Sequence, residues 1–440
     1  MYNVGKAADK GVYNGQKRDN DTQEKKARNR NKRYFLFICW LASSLLLLIW
    51  LLEYFMPAIT TSTSNENSQS VFGTFFSTSE EEKTRTARIM AHGDLLYHDL
   101  LYMSARQSDG SYDFSENFTY VQPWIEQADL AIADFEGTIS PDFPLAGYPL
   151  FNAPAQVAKN ISSVGYDVVD LAHNHILDSQ LSGLISTVAA FKDVNVDAVG
   201  VYAEGNRATA PIYLREVNGI KIAILAYAYG FNGMEGLLTQ EEYDSYLSDF
   251  NREKMKKEIE KAEKEADITI VMPQTGVEYQ LEPTEEQVTL YRQMVDWGAD
   301  LVFGGHPHVA EPSETIEKDG EKKLIIYSMG NFISNQRIET MGDTPNSQWT
   351  ERGVLMDVTL EKKDGLTRIQ TAKAHPTWVS KVSKGTYSPE GHELFTYQTL
   401  ILEDFIQGGK YYGSLDEGTQ TRIEAAYQEM NEFMNLNWGE

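Results

Sequence analysis

Apolar residues in this chain come in short runs, each with at most one polar residue, separated by polar stretches that suit helices and turns. The runs at 87–91, 130–133, 168–171, 198–201, 221–227, 268–272, 301–303 and 324–328 are three to seven residues long. Runs this short, bounded by turn residues, predict strands rather than helices. Between them, 180–191 and 251–266 carry the helical period. In the second, Met255, Ile259, Ala262 and Ala266 make one apolar stripe, while Glu253/Lys257 and Glu260/Lys264 pair one turn apart. Strand and helix in alternation predict an α/β domain. After about residue 385 the pattern changes: 421–436 places Ile423, Ala426, Met430, Phe433 and Met434 on one helix face, which predicts a helical extension packed on the core. No fixed-period repeat appears, so a solenoid is not expected.

The first 86 residues follow other rules. Residues 1–33 carry ten Lys/Arg against four Asp/Glu and almost no apolar periodicity, which reads as a disordered basic tail. The next 19, YFLFICWLASSLLLLIWLL at 34–52, hold no charge and are long enough to cross a bilayer as a helix. A cleaved signal peptide has a shorter basic lead, a shorter apolar run and a small-residue cleavage site, so an uncleaved anchor is the preferred reading. Trp50, Tyr54 and Phe55 suit the outer interface, and the basic lead places the N-terminus in the cytoplasm and the rest outside. The Ser/Thr/Asn/Glu-rich stretch that follows reads as a linker. The expected organisation is therefore a tail at 1–33, a transmembrane anchor at 34–56, a linker at 57–86, a main domain at 87–385 and an extension at 386–440.

Charge narrows the partners. Of the net −25, the tail contributes +6 and everything after it −31. An outer domain that acidic is a poor partner for nucleic acid or anionic lipid. The only cysteine, Cys39, lies in the apolar run, so the outer domain has no disulfide. That hints at the outer face of a single-membrane bacterium.

Chemistry-bearing residues gather where the predicted strands stop. Asp94 follows the first, with His98 just beyond; Glu136 follows the second; Asn174 and His175 follow the third; Gln274, with Glu278 nearby, follows the sixth; and Asn331 follows the eighth. After the seventh comes Gly304-Gly305-His306-Pro307-His308. Residues two apart share a face in an extended segment, so both imidazoles are expected to point at one spot as a metal clamp. Taken singly, each group has a plain reading as a turn or cap residue. Their convergence at the carboxyl ends of strands, where α/β sheets place ligands, predicts one site. Imidazole, carboxylate and amide oxygen together suit Mn²⁺, Fe²⁺ or Zn²⁺ rather than calcium. Two such ions would want a bridging carboxylate, for which Glu136 is the best candidate, and would activate a water.

The series Gly93-Asp94, Phe135-Glu136-Gly137, AHNHILD at 172–178, TGVEY at 275–279, GGHPHV at 304–309 and YSMGNF at 327–332 resembles the CapA family of capsule and poly-γ-glutamate biosynthesis proteins, whose domain is similar to calcineurin-like metallophosphoesterases. The resemblance spans about 88–384. It implies a layered α/β sandwich with metal ligands at Asp94, Glu136, Asn174, His175, His306 and His308. His98, Gln274, Glu278 and Asn331 are weaker candidates. The chain departs from the family at Gln274, where relatives usually carry His. Glutamine is the poorer ligand for these ions, which puts ordinary phosphoesterase turnover in question. His173, where the family often has Asn, is expected behind the ligands rather than among them.

The expected function is that of a membrane-anchored, outward-facing protein that helps make, export or anchor an anionic polymer such as poly-γ-glutamate. Membrane subunits of a capsule system are the expected partners. In a catalytic version His175 or His308 is the neighbouring acid or stabiliser at a phosphoryl or acyl centre. The competing reading is a binding or assembly module on the same fold, which Gln274 favours. A metal-free glycosidase using Asp134 or Glu136 with Asp94 leaves the clustered histidines unexplained and ranks last.

Overall fold

All eight apolar runs fall on strands in the computed structural model, which describes residues 83–436 and 438. The expected tail and anchor, and all but the end of the linker, lie outside the described residues. Among the described residues no helix is long and apolar enough to cross a membrane.

The strands in chain order are β1 (Arg85–Leu96), β2 (Leu130–Glu136), β3 (Val168–Asp170), β4 (Asp197–Val199), β5 (Leu214–Val217), β6 (Ile220–Ala228), β7 (Ile268–Gln274), β8 (Leu301–Phe303), β9 (Ala310–Lys318), β10 (Glu321–Met329), β11 (Asn331–Ile333), β12 (Arg352–Lys363), β13 (Leu366–Tyr387) and β14 (Glu393–Ile401). They form two mixed sheets. The first runs β14-β13-β12-β1-β2-β3-β4, with β11 paired to β1, and the second runs β5-β6-β7-β8-β10-β9. In each, the apolar runs found from sequence are parallel strands, nearly all central: β1 to β3 in one, with β4 at its edge, and β6, β7, β8 and β10 in the other.

Burial on both faces explains why the central strands read as apolar runs. In β6, Ile222, Ile224, Ala226 and Ala228 enter the core that joins the two sheets, whereas Ala223, Leu225 and Tyr227 face the other way. That second face is covered by helices Arg252–Glu265 and Glu285–Trp297, through Met255, Ile259, Leu290 and Met294. The first helix is capped by Asn251 on the Lys254 N–H, and the second by a reciprocal Thr284–Gln287 box.

Several of the strands not read from sequence have one wet face, although β11 and most of β12 are buried. β9 (AEPSETIEK) and much of β13 alternate apolar and charged positions, so no continuous run marks them. Residues 386–440, expected to be a helical extension, also supply the end of β13 and all of β14, an edge of the first sheet. Their helix, Glu417–Met434, starts four residues before the expected 421; its Ile423 and Ala426 pack on Trp378, Leu400 and Phe405.

Candidate metal centre

Both sheets aim the carboxyl ends of their parallel strands at one place. β1 reaches it through a bulge: its pairing with β2 shifts register between Ala91 and Asp94, after which Asp94 pairs with Asp134 of β2 on one side and with Asn331 of β11 on the other. A β-carbon on Gly93 would lie 1.8 Å from the Gly330 carbonyl oxygen, so only glycine lets the two backbones meet. Gly305 plays the same part opposite, since a β-carbon there would sit 3.1 Å from Asp134 Oδ2 and 3.3 Å from Asp94 Oδ1.

Asp94, Glu136 and His308 form the centre, all buried, each offering a ligand atom within 4.8 Å of the others. His308 Nδ1 lies 2.8 Å from Asp94 Oδ2, 3.1 Å from Asn331 Oδ1 and 3.9 Å from Glu136 Oε2. On the other side His175 Nε2 stands 3.8 Å from Glu136 Oε1, while its Nδ1 meets Asp178 Oδ2 at 2.7 Å. Asp178 also accepts the Phe151 N–H at 2.6 Å, and Phe151 packs edge-on to the His175 ring at 4.8 Å.

The electrostatics of this cluster follow from burial and close charges. Asp134 and Asp170, buried beside Asp94, are pushed well above the usual carboxylate range by burial first and then by neighbouring carboxylates. Burial also raises Glu136, to about 7, with repulsion from Asp94 adding and attraction to His308 and His175 opposing. Burial alone would discharge His308, yet Glu136 and Asp94 outweigh it and raise its pKa to about 10. His175 is raised in the same way, Asp178 and Glu136 overcoming burial. His306 goes the other way, to about 3, through burial and repulsion from His308 and His175. Burial and mutual repulsion thus favour protons on the carboxyls, and the carboxylates favour protons on His308 and His175.

Unpartnered atoms accompany these shifts. Asp94 Oδ1, both Glu136 oxygens, Asn174 Oδ1 and His306 Nδ1 are buried with no hydrogen-bond partner. Buried polar atoms are normally satisfied; the open Asp94 and Glu136 oxygens belong to residues grouped with His308 within 4.8 Å, a set that fits a divalent cation of borderline hardness.

Several residues sit differently from their expected roles. The His306–His308 segment is a turn, not an extended strand: both residues have left-handed backbone, φ +97° and +57°. Their ring centroids are 6.2 Å apart, and His306 rests on Tyr229 at 4.7 Å. Gln274 spends its Oε1 on the Asn174 N–H at 2.8 Å, leaving Nε2 unpartnered. Asn331 Oδ1 shares His308 Nδ1 with Asp94, and its Nδ2 donates to Gln336 Oε1 and the Thr350 carbonyl, which fixes the amide in place. His98 Nδ1 accepts the Asn335 N–H at 3.3 Å, and burial lowers its pKa to about 3. Glu278 is exposed at the mouth beside Tyr279. His173 Nε2 accepts the Gly137 N–H at 3.3 Å and supports the turn after Glu136.

Three contributors escaped sequence reasoning. Asp178 was in view three residues after His175, a spacing that pairs side chains in one turn. Asp170 stood inside an apolar run and was not singled out. Asn232 had no signal at all: it arrives on the loop after β6, from the other sheet, where its Oδ1 accepts from Asn174 Nδ2 at 3.2 Å and its Nδ2 approaches His175 at 3.4 Å.

A two-sheet α/β sandwich with a buried carboxylate–imidazole centre at the strand ends is thus the class of protein defined. The family model described as bacterial capsule synthesis protein PGA_cap matches residues 88–336, more than half the chain, and the chain belongs to that family. It is 31% identical over 228 residues to the capsule biosynthesis protein CapA of Bacillus anthracis, and 30% identical over 223 residues to the PGA biosynthesis protein CapA of Bacillus subtilis. Each match covers 50% of this chain, and 54% and 57% of those relatives, so it spans little more than half their length. Among solved structures, the calcineurin-like phosphoesterase YfkN of Bacillus subtilis overlaps 80% of this chain and 100% of its own, at 16% identity and a TM-score of 0.37. That overlap is too loose to carry an argument, and the fold described above rests on its own strand pairing.

Proposed function

We propose that this chain is a capsule-assembly protein whose Asp94, Glu136 and His308 hold a divalent cation, with Asn174, His175 and His306 completing the donor set around one or two ions. The observation that carries the reading is the set of open, buried ligand atoms at that point. The family and the two CapA relatives support a role in making, exporting or anchoring a capsule polymer, for which poly-γ-glutamate is the candidate. The charge-free run at 34–52 supports an anchored, outward-facing domain, with membrane subunits of the same system as partners.

A bound cation would supply Lewis acidity and a more acidic water. The chain's own part is positional. Asp178 accepts from His175 Nδ1–H, which leaves Nε2 facing Glu136 as the atom it would offer a cation; outside the donor set that same atom would instead carry a proton to a leaving group. Asn331 and Asp94 fix the ring of His308. Phe151 covers His175.

A second reading, polymer or partner binding without turnover, is favoured by Gln274, whose carbonyl is already committed to Asn174. Elemental analysis of the purified full chain after reconstitution with Mn²⁺, Fe²⁺ or Zn²⁺ tests the metal. Binding of at least one equivalent, lost in Asp94→Asn, is expected; no retained metal overturns the assignment.

A further inference from the structure

A cavity of about 720 Å³ opens between β4, β6 and helix Arg252–Glu265, and none of its lining residues belongs to the centre above. Its walls are apolar, with Val199, Val201, Ile212 and Leu225 facing it. A stretch of strand edge is also exposed to it. On its outer edge β6 pairs with β5 as far as Leu214↔Ala223, keeps one further bond from the Ile224 N–H to the Tyr213 carbonyl, and is not bonded again until the Ala228 N–H meets the Ser248 carbonyl.

Charge around the mouth is unlike the rest of the molecule. The lining holds four cations, Arg207, Lys254, Lys257 and Lys261, against two carboxylates, Asp244 and Glu258, a balance of +2 in a chain of net −25. Arg207 is buried and committed to Asp249, Glu258 and the Leu247 carbonyl. Lys254 is committed to Asp244 at 2.5 Å. Lys257, whose expected pair with Glu253 does not form, and Lys261, one helical turn on, are both exposed and have no ion-pair partner among the described residues. The helix therefore turns Met255, Ile259 and Ala262 to the core and its unpaired lysines to the cavity.

We infer that this cavity is a binding site for an amphipathic anion, its apolar chain along the Val199–Val201–Ile212–Leu225 wall and its carboxylate or phosphate head at Lys257 and Lys261. The volume is that of ordinary small-molecule sites, which are apolar with a few placed polar groups. A polyacid charged along its whole length fits badly, because it would waste the apolar wall and meet Glu258 and Asp244. The site is independent of the metal centre and of the capsule reading.

The test is photolabelling of the full chain, held in phosphatidylcholine nanodiscs, with a diazirine-bearing dodecanoic acid, followed by peptide mapping. Label within 198–227 and 254–261, reduced about tenfold by excess decanoate or decyl phosphate but not by decanol, is expected. Whichever anion competes at lower concentration identifies the head. The double variant Lys257→Glu/Lys261→Glu changes only exposed side chains and should keep its melting temperature while losing about tenfold in label. Label confined to other peptides, equal competition by decanol, or full labelling of the double variant would each overturn the inference.

Discussion

His308 Nδ1 meets Asp94 Oδ2 at 2.8 Å, joining a turn of the second sheet to a bulge of the first across 214 residues of sequence. This contact does in the metal-free protein what a cation would do: it places one positive charge among buried carboxylates.

A metal bound at this centre would therefore have to displace a proton. With His308 raised to about 10, the metal-free centre carries that proton at neutral pH. Apparent affinity for Mn²⁺ should rise about tenfold per pH unit between pH 7 and 9 for one proton released. The sign for stability is opposite: a raised folded-state pKa contributes below the unfolded value of about 6.5 and is lost as pH rises through about 10. Calorimetric titration in two buffers of different ionisation heat reads the proton release, and buffer-independent heats would contradict it.

Gly305→Ala should damage the centre without unfolding the protein. The added carbon meets Asp134 and Asp94 oxygens at 3.1 and 3.3 Å, tight enough to move a ligand by a few tenths of an ångström. Metal affinity is expected to fall about tenfold or more, with far-ultraviolet circular dichroism unchanged.

Gln274→His separates turnover from binding. The new imidazole would add a donor but remove the acceptor of the Asn174 N–H. Phosphoesterase activity on an aryl phosphate that is present only in the variant marks the natural chain as a binder; activity in both marks it as an enzyme.

Away from the centre, Asp357 takes a bidentate pair from Arg88 at 2.9 and 2.7 Å and stands 3.6 Å from His375, which meets Glu403 at 2.8 Å. Burial opposes the charge on Asp357, yet Arg88 and His375 hold it below the usual carboxylate range, and His375 is raised by Asp357 and Glu403 against burial. The Asp357 contribution exists above its unfolded pKa of about 3.9 and fades as pH falls; the His375 contribution exists below about 6.5 and fades as pH rises. Asp357→Asn should thus cost most, about 1–3 kcal/mol, between about pH 4 and 6.5. Melting temperatures across pH 4–9 test this, and a pH-independent loss would refute it.

Ile259→Ala removes a side chain buried between the helix and β6. It should cost about 2–5 kcal/mol, measured by denaturant unfolding.

Much of this was legible in one dimension, and the division follows from physics. A central parallel strand is buried on both faces, so β2, β6 and β7 announce themselves as apolar runs, and the polar residue ending each run marks where the chain leaves the core. Asp94, Glu136, Asn174, His175, His306, His308, Gln274 and Asn331 were all found in that way. Edge strands such as β9 and β14 have one wet face and hide among charged loops. What only packing decided is how the donors are shared. The left-handed turn at His306 and His308, the capture of Gln274 by Asn174, and the arrival of Asn232 beside His175 all depend on two sheets packing face to face with their strand ends at one place. No local spacing encodes the distance between residues brought together from opposite sheets, because that distance is set by the thickness of the core between them.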